Sequence, residues 1–259
     1  MTDSALTSSR GHWLLARAIF IAALLACAAL LLLALVPFGW RFGLWHYGLS
    51  FRMVAWAQYL ALAGAAVALL GLIFGRGAIA GRGRWLAAAI VLFGVGLIAV
   101  PWLLAQLNGP HAPINDITTD TMNPPAFVAA LPAREAEHAR TAVYGGAATA
   151  RQQQAFYPDI APLMLAAPPA QGFERAEATA RALGWRILDS DPQKGTIEAT
   201  DTTTYYGFTD DIVIRVTAAG GGSRVDIRSH SRQGGGDNGV NAARVRKYLA
   251  ALKGLAVGS

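Results

Sequence analysis

Cysteine is almost absent from this chain of 259 residues. Its single cysteine, Cys27, lies inside a long apolar segment near the N-terminus. The chain therefore cannot form an internal disulfide, and its C-terminal part has no thiolate to offer a metal ion. That part must be stabilised by a packed core, and it is long enough to build one.

Charge is absent from three segments of the first 110 residues. Asp, Glu, Lys and Arg do not occur in 18–36, 53–74 or 85–107. The length of each segment is close to the roughly 20 residues that a helix needs to cross the hydrocarbon core of a membrane. In that environment the backbone amides must form their hydrogen bonds within the helix. Helices of a soluble bundle would carry a polar stripe, which these segments lack. We therefore predict a membrane domain with three transmembrane helices over residues 1–110.

Basic residues near the ends of these segments are distributed unequally. The N-terminal flank and the second loop together contain five arginines, Arg10, Arg17, Arg76, Arg82 and Arg84. The first loop contains two, Arg41 and Arg52. The more basic side of a multi-pass protein faces the cytoplasm. We therefore expect a cytoplasmic N-terminus and an extracytoplasmic C-terminal domain, periplasmic in a Gram-negative host. No small-x-small site follows Val36, which favours an uncleaved anchor in a bacterial inner membrane.

Net charge is absent from the C-terminal part of the chain. The whole chain carries +6, and seven arginines and one aspartate in residues 1–110 account for all of it. Residues 111–259 balance to zero. The basic pI therefore reflects membrane topology, and a nucleic-acid partner is not expected.

Residues 111–259 are predicted to form a soluble α+β domain. Its first part, residues 111–169, is punctuated by prolines, which remove backbone donors and favour extended conformations. We call residues 111–169 the arm. We predict that 114–127 is extended and laid over the domain, with at most a short helix around 133–140.

Regular structure is predicted from Gly172 onward. Two helices carry apolar residues at helical spacing: Phe173, Ala176, Ala180 and Leu183 in the first, and Val245, Tyr248, Leu249 and Leu252 in the last. Between them we predict four strands, over 185–188, 196–205, 209–217 and 224–230. Short loops favour antiparallel pairing. The expected fold class is α+β: three transmembrane helices followed by a two-layer sandwich of a four-stranded antiparallel sheet with helices on one face.

Alternation along the last two strands separates an apolar face from a charged face. Ile212, Ile214 and Val216 share the apolar side of their strand. The candidate ligand- or partner-binding residues come from the charged side and from the loop and helix that follow: Asp211, Arg215, Asp226, Arg228, Arg232, Asp237, Asn241 and Arg244.

Two interpretations of this charged cluster are open. Opposite charges on neighbouring strands stabilise a sheet by about 0.2–1 kcal/mol per pair without any ligand. In one register Arg215 faces Asp226, and in another Asp211 faces Arg228, so either produces an ion pair. Alternatively, the glycine-rich loop 234–239 and the helix after it bind an anion together with the arginines, because a helix N-terminus favours negative charge.

Enzymatic chemistry is the weaker alternative. Asp210 and Asp211 are adjacent on a strand and point to opposite faces, so they would not ligate one metal ion together. Ser229 and Ser231 flank His230 but diverge from it, and no glycine-serine elbow is present. We therefore predict no catalytic residue, no metal ligand and no cofactor.

Several motifs of the C-terminal domain occur together in one known family. They are Asn115–Asp120 with Pro124–Phe127, Tyr157–Asp159, Phe208–Asp211 with Arg215, Arg224–Arg232, and Asp237–Arg244. In these motifs the chain resembles the bacterial family catalogued as domain of unknown function 1499, over about 114–252. The family has no established activity, so the resemblance implies a domain boundary and a surface without a mechanism.

The sequence favours a membrane-anchored envelope protein without catalytic activity. We expect the C-terminal domain to bind an envelope protein or an anionic ligand, with the lipid bilayer as the other partner. The alternative function is a hydrolase or a metal-dependent enzyme that uses the Asp, Arg and His residues of the charged cluster.

Overall fold

A computed structural model describes residues 2–75 and 81–257 of the chain. Arg76, which contributes to the topology prediction, and the last two residues of the predicted C-terminal domain lie outside the described residues. The chain divides into two compact units. One comprises Met1–Gly109 and Tyr205–Gly207, and the other comprises Pro110–Thr204 and Phe208–Ser259.

Three long helices make up most of the first unit: α1 (Thr2–Arg41), α2 (Tyr47–Phe74) and α3 (Arg82–Asn108). Each contains a segment that is long and apolar enough to cross a membrane, of 29, 28 and 26 residues respectively. The predicted segments all lie within these helices. The prediction of three long apolar helices is therefore confirmed.

Small residues allow these three helices to pack closely. A Cβ atom added at Gly64 of α2 would lie 3.0 Å from the carbonyl oxygen of Ala22 in α1. A Cβ added at Gly94 of α3 would lie 2.6 Å from the carbonyl oxygen of Ala61 in α2. Close backbone approach of this kind is how helices associate in lipid, where no hydrophobic force drives them together.

The second unit contains a mixed set of helices and strands. In chain order they are β1 (Asp116–Thr118), α4 (Leu131–Ala136), α5 (Gly146–Phe156), β2 (Leu163–Leu165), α6 (Pro169–Ala182), β3 (Arg186–Asp191), β4 (Thr196–Thr202), β5 (Thr209–Ala219), β6 (Gly222–Ser231) and α7 (Val240–Val257). The strands form one antiparallel sheet in the order β1-β6-β5-β4-β3, and β2 also pairs with β6. The four predicted strands correspond to β3–β6.

Within the described part of the chain the sheet has six strands, so the prediction of four is wrong in this detail. The two additional strands, β1 and β2, are three residues long and lie in the arm. They pair with different parts of β6, whose ten residues provide room for both. Strands this short show no alternation of polar and apolar residues that would predict them. They are strands because they pair with β6, which is distant in the sequence. Helix α5 was also missed, because it buries only Ala150 and Gln153 and carries no apolar stripe.

The main core lies between the sheet and helices α6 and α7. Phe173 and Ala176 of α6 and Tyr248 of α7 are buried against Ile214 and Ile227 of the sheet. The indole of Trp185 stacks on the Tyr248 ring at 5.3 Å between centroids. The Tyr248 hydroxyl donates a hydrogen bond to the carbonyl oxygen of Ala176 at 3.1 Å. The apolar stripes predicted for both helices therefore face this core.

The opposite face of the sheet is covered by the arm. Phe127 and Ala130 of the arm form a second buried cluster with Val213 of β5. The charged residues beside Val213 are covered as well, and Asp211, Asp226 and Arg228 are all buried. The predicted two-layer arrangement therefore gains a third covering layer on the face that the sequence identifies as charged.

Candidate functional site

The pairing of β5 with β6 decides between the two registers that the sequence allows. Arg215 lies opposite Asp226, and Asp211 lies opposite His230. The alternation of both strands places all four of these side chains on the face that the arm covers. The charged cluster is therefore enclosed between the sheet and the arm.

Arg228 connects three parts of the arm to the sheet. Its Nε and Nη2 atoms each donate to one carboxylate oxygen of Asp116 at 2.8 Å, which makes a forked ion pair. Its remaining donors bond the carbonyl oxygens of Pro125 at 3.1 Å and Ala142 at 2.8 Å. The guanidinium also lies 4.8 Å from the centre of the Phe127 ring. With 2% exposure and every donor group occupied, Arg228 acts as an anchor for the arm.

Two carboxylates and two arginines form a second group at the other end of the covered face. Arg215 donates to Asp120 and to Asp226 at 3.0 Å each, and Arg224 donates to the same two carboxylates at 2.9 Å. Burial raises the pKa of Asp120, but the N–H groups of Asn123 and Met122 and the two guanidinium groups together lower that pKa below its usual value. The group holds the arm at Asp120 as Arg228 holds it at Asp116.

The third group surrounds Asp211. One of its oxygens accepts from Arg134 of α4 at 2.7 Å, and the other accepts from Arg232 at 2.7 Å. Arg232 also pairs with Glu137, just after α4. Burial lowers the pKa of Arg232, and the bonds to Asp211 and Glu137 more than offset that effect, so the pKa is raised overall.

His230 lies inside this third group and is 4% exposed. Its Nδ1 atom lies 3.3 Å from Nη2 of Arg134 and 3.8 Å from a carboxylate oxygen of Asp116. Burial lowers the pKa of His230 to about 4, and the positive charges of Arg134 and Arg228 act in the same direction against the raising effects of Asp116 and Asp211. The imidazole is therefore neutral at pH 7, and its titration lies well below that pH.

A fourth polar group lies on the helix side of the sheet. Arg244 of α7 pairs with Asp210 at 2.6 Å and with Asp201 at 3.0 Å. Asn241 accepts from the Ser229 hydroxyl at 2.6 Å and donates to the carbonyl oxygen of Asn115 at 3.0 Å. These contacts fix the start of α7 against the end of β6.

Asp237 closes the glycine-rich loop by accepting hydrogen bonds from the start of α7. The donors are the backbone N–H groups of Gly239 at 3.0 Å and Asn241 at 2.6 Å. Burial raises the pKa of Asp237, although these bonds oppose the rise. A carboxylate of the chain therefore takes the amides that a bound anion would use.

The eight predicted site residues lie in two separate groups on opposite sides of the sheet. The residues under the arm are Asp211, Arg215, Asp226, Arg228 and Arg232, and those on the helix side are Asp237, Asn241 and Arg244. In each group the charged side chains form their ion pairs and hydrogen bonds with other residues of the chain. This agrees with the interpretation of the cluster as a set of ion pairs. Binding of a ligand by these eight residues stays a prediction.

Several residues of the covered face were not identified from the sequence. Glu198 of β4 is buried and accepts hydrogen bonds from three backbone N–H groups just before α4, those of Val128, Ala129 and Ala130, at 2.7–3.0 Å. Arg134 and Glu137 complete the group around Asp211. No local pattern marks these residues, since their partners are distant in sequence. Among the described residues, no group of three or more His, Cys, Asp or Glu side chains is placed to hold a metal ion.

An open cavity of about 790 Å³ is lined by residues of the arm together with Arg228 of the sheet, and we call it the arm groove. It is lined by Thr121, Met122, Pro124, Ala126, Phe127, Leu131, Ala142, Val143, Tyr144, Gly146, Ala147, Ala150, Arg151, Gln154 and Arg228. Most of these side chains are apolar, and two of them are strongly exposed, Met122 at 91% and Val143 at 76%. The groove is therefore an apolar surface that the domain leaves uncovered.

Two polar groups of the arm groove are not committed to partners. Arg151 is exposed, and it makes no ion pair with any part of the chain that the structure describes. The Tyr144 hydroxyl is buried without a hydrogen-bond partner among those residues. Burial, together with the nearby Asp116 carboxylate, raises the pKa of Tyr144 to about 12, so the phenol keeps its proton.

Comparison with known families identifies the C-terminal domain. The family model described as "Protein of unknown function (DUF1499)" matches residues 116–252, which is more than half of the chain. The chain belongs to this family. The match confirms the resemblance seen in the sequence. It begins at β1 and ends within α7, so it covers the arm from residue 116, the whole sheet, α6 and most of α7.

Other comparisons add little to the family assignment. No curated protein matches the chain. Among solved structures, the chain is similar to "Crystal structure of Ara h 8.0201", at 13% sequence identity and a TM-score of 0.23. The alignment covers 38% of this chain and 95% of that chain. A score this low is no evidence about the ligand or the role of the domain.

Proposed function

We propose that this family member is a multi-pass protein of a bacterial inner membrane whose extracytoplasmic domain binds a ligand without transforming it. The three apolar helices support the membrane anchor. The arginine distribution favours a cytoplasmic N-terminus, which puts the domain outside after three crossings.

The observation that carries the binding role is the arm groove. Its volume of about 790 Å³ lies within the range of about 300–1,000 Å³ that is usual for small-molecule sites. Apolar side chains such as Met122 and Val143 stand exposed in it, and covering them removes apolar area from water. An apolar concavity with few polar groups is the usual form of a ligand site.

The charged cluster supports the groove from beneath. Arg228 bonds Asp116, Pro125 and Ala142, and these contacts hold the segments that form the groove wall. In this proposal the arginines predicted as ligand-binding residues position the arm, and the ligand contacts the arm and, of those arginines, Arg228. The anionic ligand expected from the sequence then needs a different cation.

The enzyme alternative receives less support from the geometry. It requires Asp211, Asp226 and His230 to meet in a concave pocket. Asp211 and Asp226 are each paired with two arginines, and His230 is buried beneath the arm. None of the three lines the arm groove. A binding role therefore fits the accessible surface better than hydrolysis does.

Site-specific photocrosslinking in cells tests the binding role. A photoreactive amino acid replaces Val143 in the groove or, as a matched control, Ala148, which is exposed on α5 but does not line the groove. We expect the purified full-length Val143 variant to carry a low-molecular-weight adduct, seen as an increase in intact mass, and the Ala148 variant to lack it. Equal adducts at both positions, or none at either, would contradict the proposal.

A further inference from the structure

We propose that the ligand of the arm groove is a long-chain carboxylate, with its tail along the apolar wall and its head at Arg151. This inference rests on the proposed function and specifies the chemistry of the same site. It follows from how apolar and charged groups are arranged along the groove.

Helix α5 gives the groove a polar end. Ala147, Ala150, Arg151 and Gln154 all line the groove, and their spacing of three, one and three residues places them on one side of the helix. The alanines precede Arg151 and Gln154 along the helix, so the polar pair lies toward its C-terminal end. Gln154 also reaches the hydroxyl of Thr121 at 3.5 Å. Arg151, Gln154 and Thr121 therefore form a polar end of the groove, and the other polar groups of its lining are the Tyr144 hydroxyl and Arg228.

The apolar part of the groove favours a hydrocarbon chain over a peptide. A peptide segment needs hydrogen-bond partners for its N–H and C=O groups. The walls near Met122, Leu131 and Val143 are formed by apolar side chains, which offer none. An acyl chain has no polar groups to satisfy and gains from the removal of these side chains from water.

The charge of the groove favours an anionic head with a single negative charge. Two arginines line the groove, and the donors of Arg228 are already bonded to Asp116, Pro125 and Ala142. Arg151 is the lining cation without an ion pair among the described residues. One free guanidinium matches one carboxylate, to which it can donate two parallel hydrogen bonds.

The test uses the full chain in nanodiscs of phosphatidylcholine and a palmitate probe with a photoreactive diazirine in its tail. Labelled peptides are mapped by mass spectrometry after irradiation. The variants are Arg151→Gln, Arg151→Lys, Ala147→Trp and the control Ala148→Trp, which adds the same bulk on α5 outside the groove. Unlabelled palmitate, its methyl ester and lysophosphatidylglycerol serve as competitors.

We expect labelling to fall on the groove segments of the arm and to be lost in Ala147→Trp but not in Ala148→Trp. Arg151→Gln should weaken labelling by up to about fivefold, since the ion pair is partly solvated, and Arg151→Lys should restore most of it. Palmitate should compete more strongly than its methyl ester.

Three results would overturn the inference, and they are distinguishable. If the acid and the ester compete equally and Arg151→Gln has no effect, the anionic head is wrong while binding in the groove stands. If lysophosphatidylglycerol displaces the probe better than palmitate, the head is a phosphate ester. If Ala147→Trp labels as well as Ala148→Trp, the groove is not the site, and the proposed function fails with the inference.

Discussion

Buried guanidinium and carboxylate groups are the main feature of this domain at the scale of single residues. Arg228 satisfies all its donor groups with Asp116 and two carbonyl oxygens, and Asp211 is enclosed by two arginines. Removal of one partner from such a pair leaves an uncompensated buried charge and costs about 3–5 kcal/mol, whereas an exposed pair contributes about 0–1 kcal/mol. These residues are therefore expected to determine whether the arm stays on the sheet.

His230 makes the stability of the domain depend on pH. Its folded-state pKa of about 4 lies below its value in an unfolded chain, so the unfolded state binds the proton more readily. His230 alone therefore leaves stability unaffected above about pH 6.5 and lowers it by about 3 kcal/mol as the pH falls to about 4. This loss is measured by urea unfolding of the full chain at a series of pH values from 7 to 4. Hydrogen exchange of the β6 amides serves as the readout of unfolding.

Comparison with two substitutions isolates the contribution of His230. His230→Gln should lose about 3 kcal/mol of the pH-dependent change, because glutamine does not titrate. His138→Gln removes an exposed histidine of the arm and should retain the whole change. Equal pH dependence in the two variants would show that His230 is not the group responsible.

Short elements acquire their structure from distant partners at the scale of helices and strands. Strands β1 and β2 exist because β6 offers free edge positions to two segments of the arm. Helix α4 has six residues, too few to be stable alone, and Glu198 of β4 accepts the backbone N–H groups that precede it. A carboxylate near the start of a helix also interacts favourably with the helix dipole.

Glu198 is expected to determine the local stability of the arm. Glu198→Gln replaces two charged acceptor oxygens with one neutral acceptor and should reduce the free energy of arm opening by about 1–3 kcal/mol. Hydrogen exchange should then accelerate across 121–156 and remain unchanged in α7. Glu174→Gln, an exposed change on α6, is the control. Equal acceleration in α7 would mean that the loss is global and that Glu198 does not act on the arm alone.

At the scale of the whole molecule, the chain contains two units that differ in their physical character. The first has helices whose apolar side chains stay exposed, such as Trp85, Leu92 and Phe74, as expected where lipid replaces water. The second buries its apolar and charged groups around one sheet. In the proposed function, the second unit lies outside the cytoplasm.

A topology reporter tests this arrangement. Alkaline phosphatase fused after Ser259 should be active in a Gram-negative host, because the enzyme needs an oxidising compartment and the proposed topology has the C-terminus outside after three crossings. The control is a phosphatase fusion after Arg84, in the first turn of α3 and before the third apolar segment, where the enzyme should be inactive. Activity at Arg84 and none at Ser259 would invert the topology.

Most of the long helices and strands of this protein could be predicted from the sequence alone, because local patterns of residues mark them. Three uncharged segments predicted the long helices, because the need to satisfy backbone amides in lipid acts on each helix separately. Alternation predicted the faces of β5 and β6, and helical spacing predicted α6 and α7, since a stripe of buried side chains can be recognised from residues that are close in sequence.

The tertiary structure decided how the arm is held and what it leaves uncovered. Asp116 and Arg228 are 112 residues apart in the chain, and no local pattern pairs them. The register of β5 and β6, the two arm strands and the amides bound by Glu198 likewise arise only when distant segments meet. The arm groove depends on those contacts, because Arg228 and its hydrogen-bond partners hold the segments that form the wall of the groove.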